Sequence, residues 1–441
     1  MRHSAGRRFL VGFLLSALPA WFGEPLLVGD ARAQVPAEGT LTLADALALA
    51  ADSPVIRGDE AGARAATASA RQARSVLLPQ VSLDAGWSIG SSNAAIDTGL
   101  TADPAASSRY DVGIGASQLL WDSGQSIADW RSAREDAAAA AADLAATNVA
   151  VREDVRTAYF AASAARELVQ VARDTLANQE RHLVQVTAFI EIGTRPEIDR
   201  AQSRTDVANA RVQLIQAEHT YTLARAQLDQ AVGRPPGLTI EVGHEEMPAV
   251  EGEDGPLDTL VERASRDRPE VAAMARRVDA ASASVRAATG GYGPDLSASA
   301  GLDAETTQLD RAALNWSAGL GLSWSVWSGG ATAARVAAAR AAVEVVQAQA
   351  DALALQVRLE VASAQMDVRS ALAVEAAAGD AVEAARQRLR LAEGRYETGV
   401  GSAVELGDAQ LAATAAASQQ VRAGFDLAAA RARLLASLGS P

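Results

Sequence analysis

Few residues of this 441-residue chain are placed to do chemistry. Glu405 and Asp408, in the stretch YETGVGSAVELGDAQ, stand three apart, which puts both carboxylates on one face of a helix. Near a helix start the dipole favours such acids in any case. His244-Glu245-Glu246 is the other acidic cluster with an imidazole, but the four histidines, at 3, 182, 219 and 244, have no ligand spacing to one another, so no metal is expected. The chain has no P-loop, no Gly-x-Ser-x-Gly and no His-Glu-x-x-His, and Gly319-Leu320-Gly321 lacks a third glycine and sits in a strand pattern. Neither an enzyme nor a cofactor is expected. With no cysteine there is no disulfide, no thiolate–metal site and no lipid attachment point.

The elements that would position these residues follow an export leader. Arg2, Arg7 and Arg8 precede an apolar run from Phe9 to about Phe22, and Ala31-Arg32-Ala33 reads as a cleavage signature, giving a signal peptide over 1–33. An uncleaved anchor is the alternative, although the run is shorter than the ~20 residues of a spanning helix. Cleavage removes four arginines and two acids, taking the net charge from -14 to about -16. Nucleic acid is therefore not an expected partner.

The chain is written twice. Trp121 and Trp327, Gly193 and Gly399, and Gly233 and Gly439 are each 206 positions apart, while Pro54 and Pro269, and Pro79 and Pro294, are 215 apart. Two equivalent halves are expected: a first repeat over 34–233, a Gly-, Pro- and acid-rich linker over 234–256, and a second repeat over 257–441. From Ser126 to Glu191 neither proline nor glycine occurs, which allows one helix of roughly 100 Å. The spacing predicts long helices over about 126–191 and 331–398 and return helices over about 197–232 and 403–438. Heptads such as Val169, Leu176, Leu183 and Ile190 mark their packing faces.

Strict alternation predicts strands over about 79–93, 108–121, 294–304 and 313–327. In the last, Trp316, Leu320, Leu322 and Trp324 share one face, and Asn315, Ser317, Gly319 and Gly321 the other. Four strands cannot close a barrel, and an open edge in hydrocarbon leaves backbone groups unpaired at several kcal/mol each, so several chains must share one barrel. Trp316 and Trp324 are about 20 Å apart in height on a tilted strand, suiting a lipid-facing band with aromatic interfaces to which Trp87 and Tyr110 also belong. A soluble two-sheet domain between coiled coils is the alternative for the strands, and a periplasmic coiled-coil structural or adaptor protein the alternative for the whole chain.

With this helix, hairpin and helix-hairpin order, the Trp-x-x-Gly turns and the tip residues Tyr396, Gly399, Ser402 and Glu405, the sequence resembles the TolC family of outer-membrane efflux and secretion channels. In the first copy Gly193 and Asp199 fit the tip pattern, and Pro196 replaces its hydroxyl residue. The resemblance implies a mixed α and β fold: a tall antiparallel helical coiled-coil barrel, plus a transmembrane β-barrel completed by trimerisation with four strands per chain. It also implies a Gram-negative outer-membrane location as a multi-pass β-barrel with a periplasmic extension, and outer-membrane lipid around the barrel. The homotrimer would dock on a periplasmic adaptor and an inner-membrane pump or ABC transporter, as the passive duct of a tripartite efflux pump or a type I secretion system. By the same resemblance the tip residues Gly193, Thr194, Arg195, Tyr396, Gly399 and Ser402 would touch the adaptor, and Glu405 and Asp408 would form the channel constriction. Gly401 departs from a basic residue that in some members ties the closed tip.

Overall fold

The computed structural model describes residues 40–90, 107–235, 237, 241–306 and 313–440. The expected signal segment and the end of the first strand at 91–93 lie outside the described residues. In chain order stand β1 (Thr40–Leu41), α1 (Leu43–Ala50), α2 (Pro54–Ser75), β2 (Gln80–Gly90), β3 (Ser107–Trp121), α3 (Gln125–Glu191) and α4 (Glu197–Ala231). They are followed by β4 (Glu241–Val242), α5 (Leu257–Asp267), α6 (Pro269–Gly290), β5 (Asp295–Thr306), β6 (Ala313–Ser323), α7 (Ala331–Glu397) and α8 (Ala403–Ser437).

α3 and α7 are each 67 residues long, and each starts where a left-handed glycine turns the chain out of a strand: Gly124 at φ 83° and Gly330 at φ 87°. A side chain four residues ahead caps both starts. Asp122 accepts from the Ser126 amide at 2.6 Å, and Ser328 from the Thr332 amide at 3.3 Å. α2 and α6 open on a proline, the position where a missing N–H costs nothing. Each runs along one stretch of the long helices, and α4 and α8 run along the other. Gly233 ends α4 so close to α2 that a Cβ there would lie 2.6 Å from Pro54 Cδ; a Cβ on Gly439, after α8, would lie 2.8 Å from Arg268 Cα, just ahead of α6. Short helices thus abut end to end beside one long helix.

β2, β3, β5 and β6 form one antiparallel sheet in that order, with β2 and β6 at its edges. Leu83, Ile114, Leu302 and Trp316 form one cross-strand row, and Trp87 pairs with Tyr110 four residues nearer the hairpin ends. β6 stops at Ser323, four residues short of the expected end at 327. Asp295 pairs with Ser323, and the preceding Pro294 has no amide to extend the ladder. Trp324 leaves the strand, and its indole Nε1–H donates to the Tyr292 carbonyl at 3.0 Å.

A strap crosses the helices at mid-height, and the segment expected as a plain linker is most of it. β1 pairs in parallel with β4, Ser163 donates to the Gly243 carbonyl at 3.1 Å, and the Tyr159 hydroxyl reaches both Leu41 O and Glu245 Oε1 at 3.3 Å. Burial and the neighbouring Glu245 carboxylate push the Tyr159 phenol well above its ordinary range. Leu41, Leu49, Ile56, Val155, Leu228 and Val242 make the core beneath. Arg431 clamps the far part of the strap, donating to both Glu253 oxygens at 2.9 and 3.2 Å and to Met247 O at 2.9 Å, with the Glu253 side chain 6% exposed. Glu253→Ala strands a buried guanidinium, a loss of ~3–5 kcal/mol. The expected outcome is a lower thermal unfolding midpoint for detergent-purified protein; an unchanged midpoint would mean the strap is held elsewhere.

Candidate functional site

Two tips close the helical end. Each is a glycine C-cap: Gly193 at φ 77° and Gly399 at φ 80° sit where only a residue without Cβ is relaxed. The Thr194 amide returns to Phe189 O at 2.9 Å and the Val400 amide to Arg395 O at 3.0 Å, which satisfies the last carbonyls of α3 and α7. Ser402 then caps α8 by accepting the Glu405 amide at 3.1 Å; Pro196 opens α4 without a side-chain cap, as expected of the first copy.

The tips are bound to each other by Arg195. Its guanidinium lies 4.3 Å from the centre of the Tyr396 ring and donates to Tyr396 O at 3.2 Å and Gly401 O at 3.4 Å. A basic residue of the first tip thus meets the backbone of the second at Gly401. Tyr396, expected among the adaptor-contacting residues, is 2% exposed and packs with Val186, Ala392, Leu406 and Ala409. It is a packing residue, out of reach of a partner. His182, which the sequence reading did not single out, stands edge-on to Tyr396 with centroids 5.2 Å apart, and its burial lowers its pKa against the opposing pull of Asp206 and Asp199.

The expected carboxylate pair divides. Glu405 turns to α7 and pairs with Arg395 at 3.0 Å, whereas Asp408 is exposed. Free negative charge at this level therefore resides on Asp408 rather than on both. Among the described residues no cluster of His, Cys, Asp or Glu could hold a metal ion.

At the other end the apolar face of the sheet is open. Val81, Leu83, Trp87 and Ile89 are 63–76% exposed, and Leu314, Trp316, Leu320 and Leu322 71–77%. No second sheet of the same chain covers them among the described residues. Trp87 pairs with Tyr110, Trp316 lies in another row, and Trp324 lies past the strand end, so the four aromatics do not fall in two register rows. In a closed, tilted sheet register rows run oblique to the membrane plane.

The family described as outer membrane efflux protein matches residues 47–234 and 260–440. The chain belongs to that family. It is an export-channel family and not an enzyme family. Efflux pump outer membrane protein SepC of Pseudomonas putida is 28% identical over 243 residues, covering 54% of this chain and 48% of SepC. Protein CyaE of Bordetella pertussis is 28% identical over 434 residues, covering 96% of this chain and 90% of CyaE. The chain matches about half the length of SepC and of the Brucella suis efflux protein BepC, 48% and 44%. The outer membrane protein VceC of Vibrio cholerae shares the fold, with a TM-score of 0.79 at 18% identity over 90% of this chain and 96% of VceC. A periplasmic coiled-coil protein is not favoured for a member of this efflux family.

Two outcomes follow for the tips. Arg195→Ala removes the cation–π contact, about 0.5–2 kcal/mol, along with two hydrogen bonds; amide exchange at Tyr396–Gly401 should quicken about tenfold, and unchanged exchange would deny the latch. The folded His182 pKa lies below its unfolded value of about 6.5, so the unfolded state takes the proton first as pH falls. The contribution of neutral His182 to tip stability is full above about pH 6.5 and declines as pH falls from there towards its lower folded pKa. Protection factors at the tip, which are corrected for the intrinsic base-catalysed rate, should fall between pH 7.5 and 5 in the native protein, and much less in His182→Phe.

Proposed function

We propose that the protein is the outer-membrane duct of a tripartite efflux pump or type I secretion system, conducting cargo passively through a homotrimer. The observation that carries this reading is the four-stranded sheet, which among the described residues has an exposed apolar face and two open edges. Three copies joined edge to edge give about twelve strands around a lumen, with lipid on the Trp316 face and water on the Ser and Gly face. The chain is then a tandem duplication whose two halves each supply a hairpin and one long helix with its partners. Trp87, Tyr110, Trp316 and Trp324 lie near the membrane interfaces, and with no cysteine in the chain the strands rather than a lipid anchor hold it there.

The helices continue as a periplasmic tube whose tips face a periplasmic adaptor, itself bound to an inner-membrane pump or ABC transporter. Gly193, Thr194, Gly399 and Ser402 are the tip positions available to the adaptor, with Arg195 partly covered by its own latch. Around the threefold axis Asp408 forms a carboxylate ring that concentrates cations, while Glu405 is offset by Arg395. In planar bilayers the protein should give a cation-preferring pore. Asp408→Asn should lower that preference more than Glu405→Gln; equal preference in all three proteins would remove Asp408 from the constriction, and no conductance at all would count against the duct.

A further inference from the structure

On the side of α3 away from the strap, α4 and α8 stand apart and leave a groove of about 660 Å³ floored by α3. The two sides of α3 are distinct. Ser163 and Arg166 bond the strap, whereas Leu168, Ala172, Thr175 and Gln179, turned by about half a revolution at 100° per residue, line the groove. In the trimeric duct proposed above the strap encircles the tube, so the groove opens to the lumen; the inference rests on that reading.

The lining is unlike the rest of the chain. In a protein with 54 acidic residues, none lines the groove, and the only charge is Arg422. Polar walls come from Gln213, Gln216 and Thr220 of α4 and from Gln410, Thr414 and Gln419 of α8, and no aromatic ring is present. One group in the floor is left without a partner. Gln179 is 8% exposed and donates through Nε2 to Gln410 Oε1 at 3.0 Å, yet its own Oε1 is buried and accepts nothing. A buried acceptor without a donor costs about 1–3 kcal/mol, which a ligand N–H would offset once the Gln179 amide turns its oxygen out into the groove that the residue lines.

We propose that this groove is a cargo-binding site for an extended polypeptide segment, held by side-chain amides and hydroxyls through its main chain. Glutamine offers the same donor and acceptor pair as a peptide unit, so such walls read backbone rather than side chains. From Ala165 to Gln179 the floor is roughly 21 Å long, room for about six extended residues. Arg422, near the end remote from Gln179, suits a carboxylate on the segment. An apolar aromatic ligand would find no stacking surface.

The test is equilibrium binding of a fluorescent Gly–Ser–Asn peptide of about twelve residues with a free C-terminal carboxylate. It uses detergent-purified full-length protein, read by anisotropy, with oligomeric mass measured on the same sample. Gln179→Leu with Gln410→Leu should weaken binding at least about fivefold at unchanged mass, since the buried Gln179 amide and the half-buried Gln410 amide are replaced by apolar groups of similar size. Gln216→Ala, on the exposed rim, gives a second variant whose folding is not in question and should weaken binding about two- to fivefold. Arg422→Gln should weaken the carboxylate-ended peptide but not its C-terminal amide. Trimers that bind the peptide no more weakly in any variant, or not at all, would overturn the groove as a site, whereas a monomeric protein would overturn the duct and with it the lumenal setting. Displacement of the peptide by maltohexaose at comparable affinity would overturn the polypeptide assignment in favour of a polyhydroxylated ligand.

Discussion

Backbone hydrogen bonding at the edges of one sheet constrains everything else in this molecule. Among the described residues β2 and β6 each have one neighbour, and the apolar face between them is bare. Charged or covered edges are the usual remedy in soluble proteins. Here the face carries tryptophan, leucine and valine, so burial in water-exposed form would be an aggregation hazard rather than a resting state. In the proposed duct, closure with other copies would satisfy both needs together: the edges would pair, and lipid would take the apolar face.

The helical part answers a second constraint, length. A helix of 67 residues cannot bury its stripe against a single partner of ordinary size, and the chain supplies several: α2, α4, α6 and α8 run along α3, and α6 and α8 along α7. Their junction falls at the glycines 233 and 439, where close approach to Pro54 and Arg268 forbids a side chain. The strap lies over the same region, and its buried Arg431–Glu253 pair and Tyr159 contacts fix the junction from outside. The opposite side of α3 is left uncovered as the glutamine-lined groove.

Much of this is legible in the residues, and the limits have physical causes. α3 is readable because nothing between Ser126 and Glu191 interrupts a helix, and the tips because glycines at 193 and 399 punctuate heptads. Strand alternation gives the faces of β2, β3, β5 and β6, but the end of β6 depends on Pro294 of another strand. β1 and β4 are two residues each, too short for any period, and the strap they join is held by side chains from α3, α7 and α8 that no local pattern reveals. Tyr396 matches a tip motif, yet its neighbours His182 and Arg195 come from the other repeat, so its burial is a tertiary fact. For the same reason Glu405 and Asp408 share a helix face in sequence and differ in the fold, where Arg395 claims one of them.

Edge-to-edge closure by three copies can be tested on the native chain because it has no cysteine of its own. Within one chain β2 and β6 are separated by two strands, about 14 Å at ~4.8 Å per step, beyond disulfide reach of ~7 Å. Double variants that scan one cysteine over the Ser82, Asp84, Gly86 and Ser88 positions of β2 and another over Asn315, Ser317, Gly319, Gly321 and Ser323 of β6, oxidised in membranes and run without reductant, should therefore link only between copies. A covalent ladder that stops at three chains in at least one pairing is the expected result; monomers in every pairing, or a ladder running past three, would contradict a closed trimeric barrel.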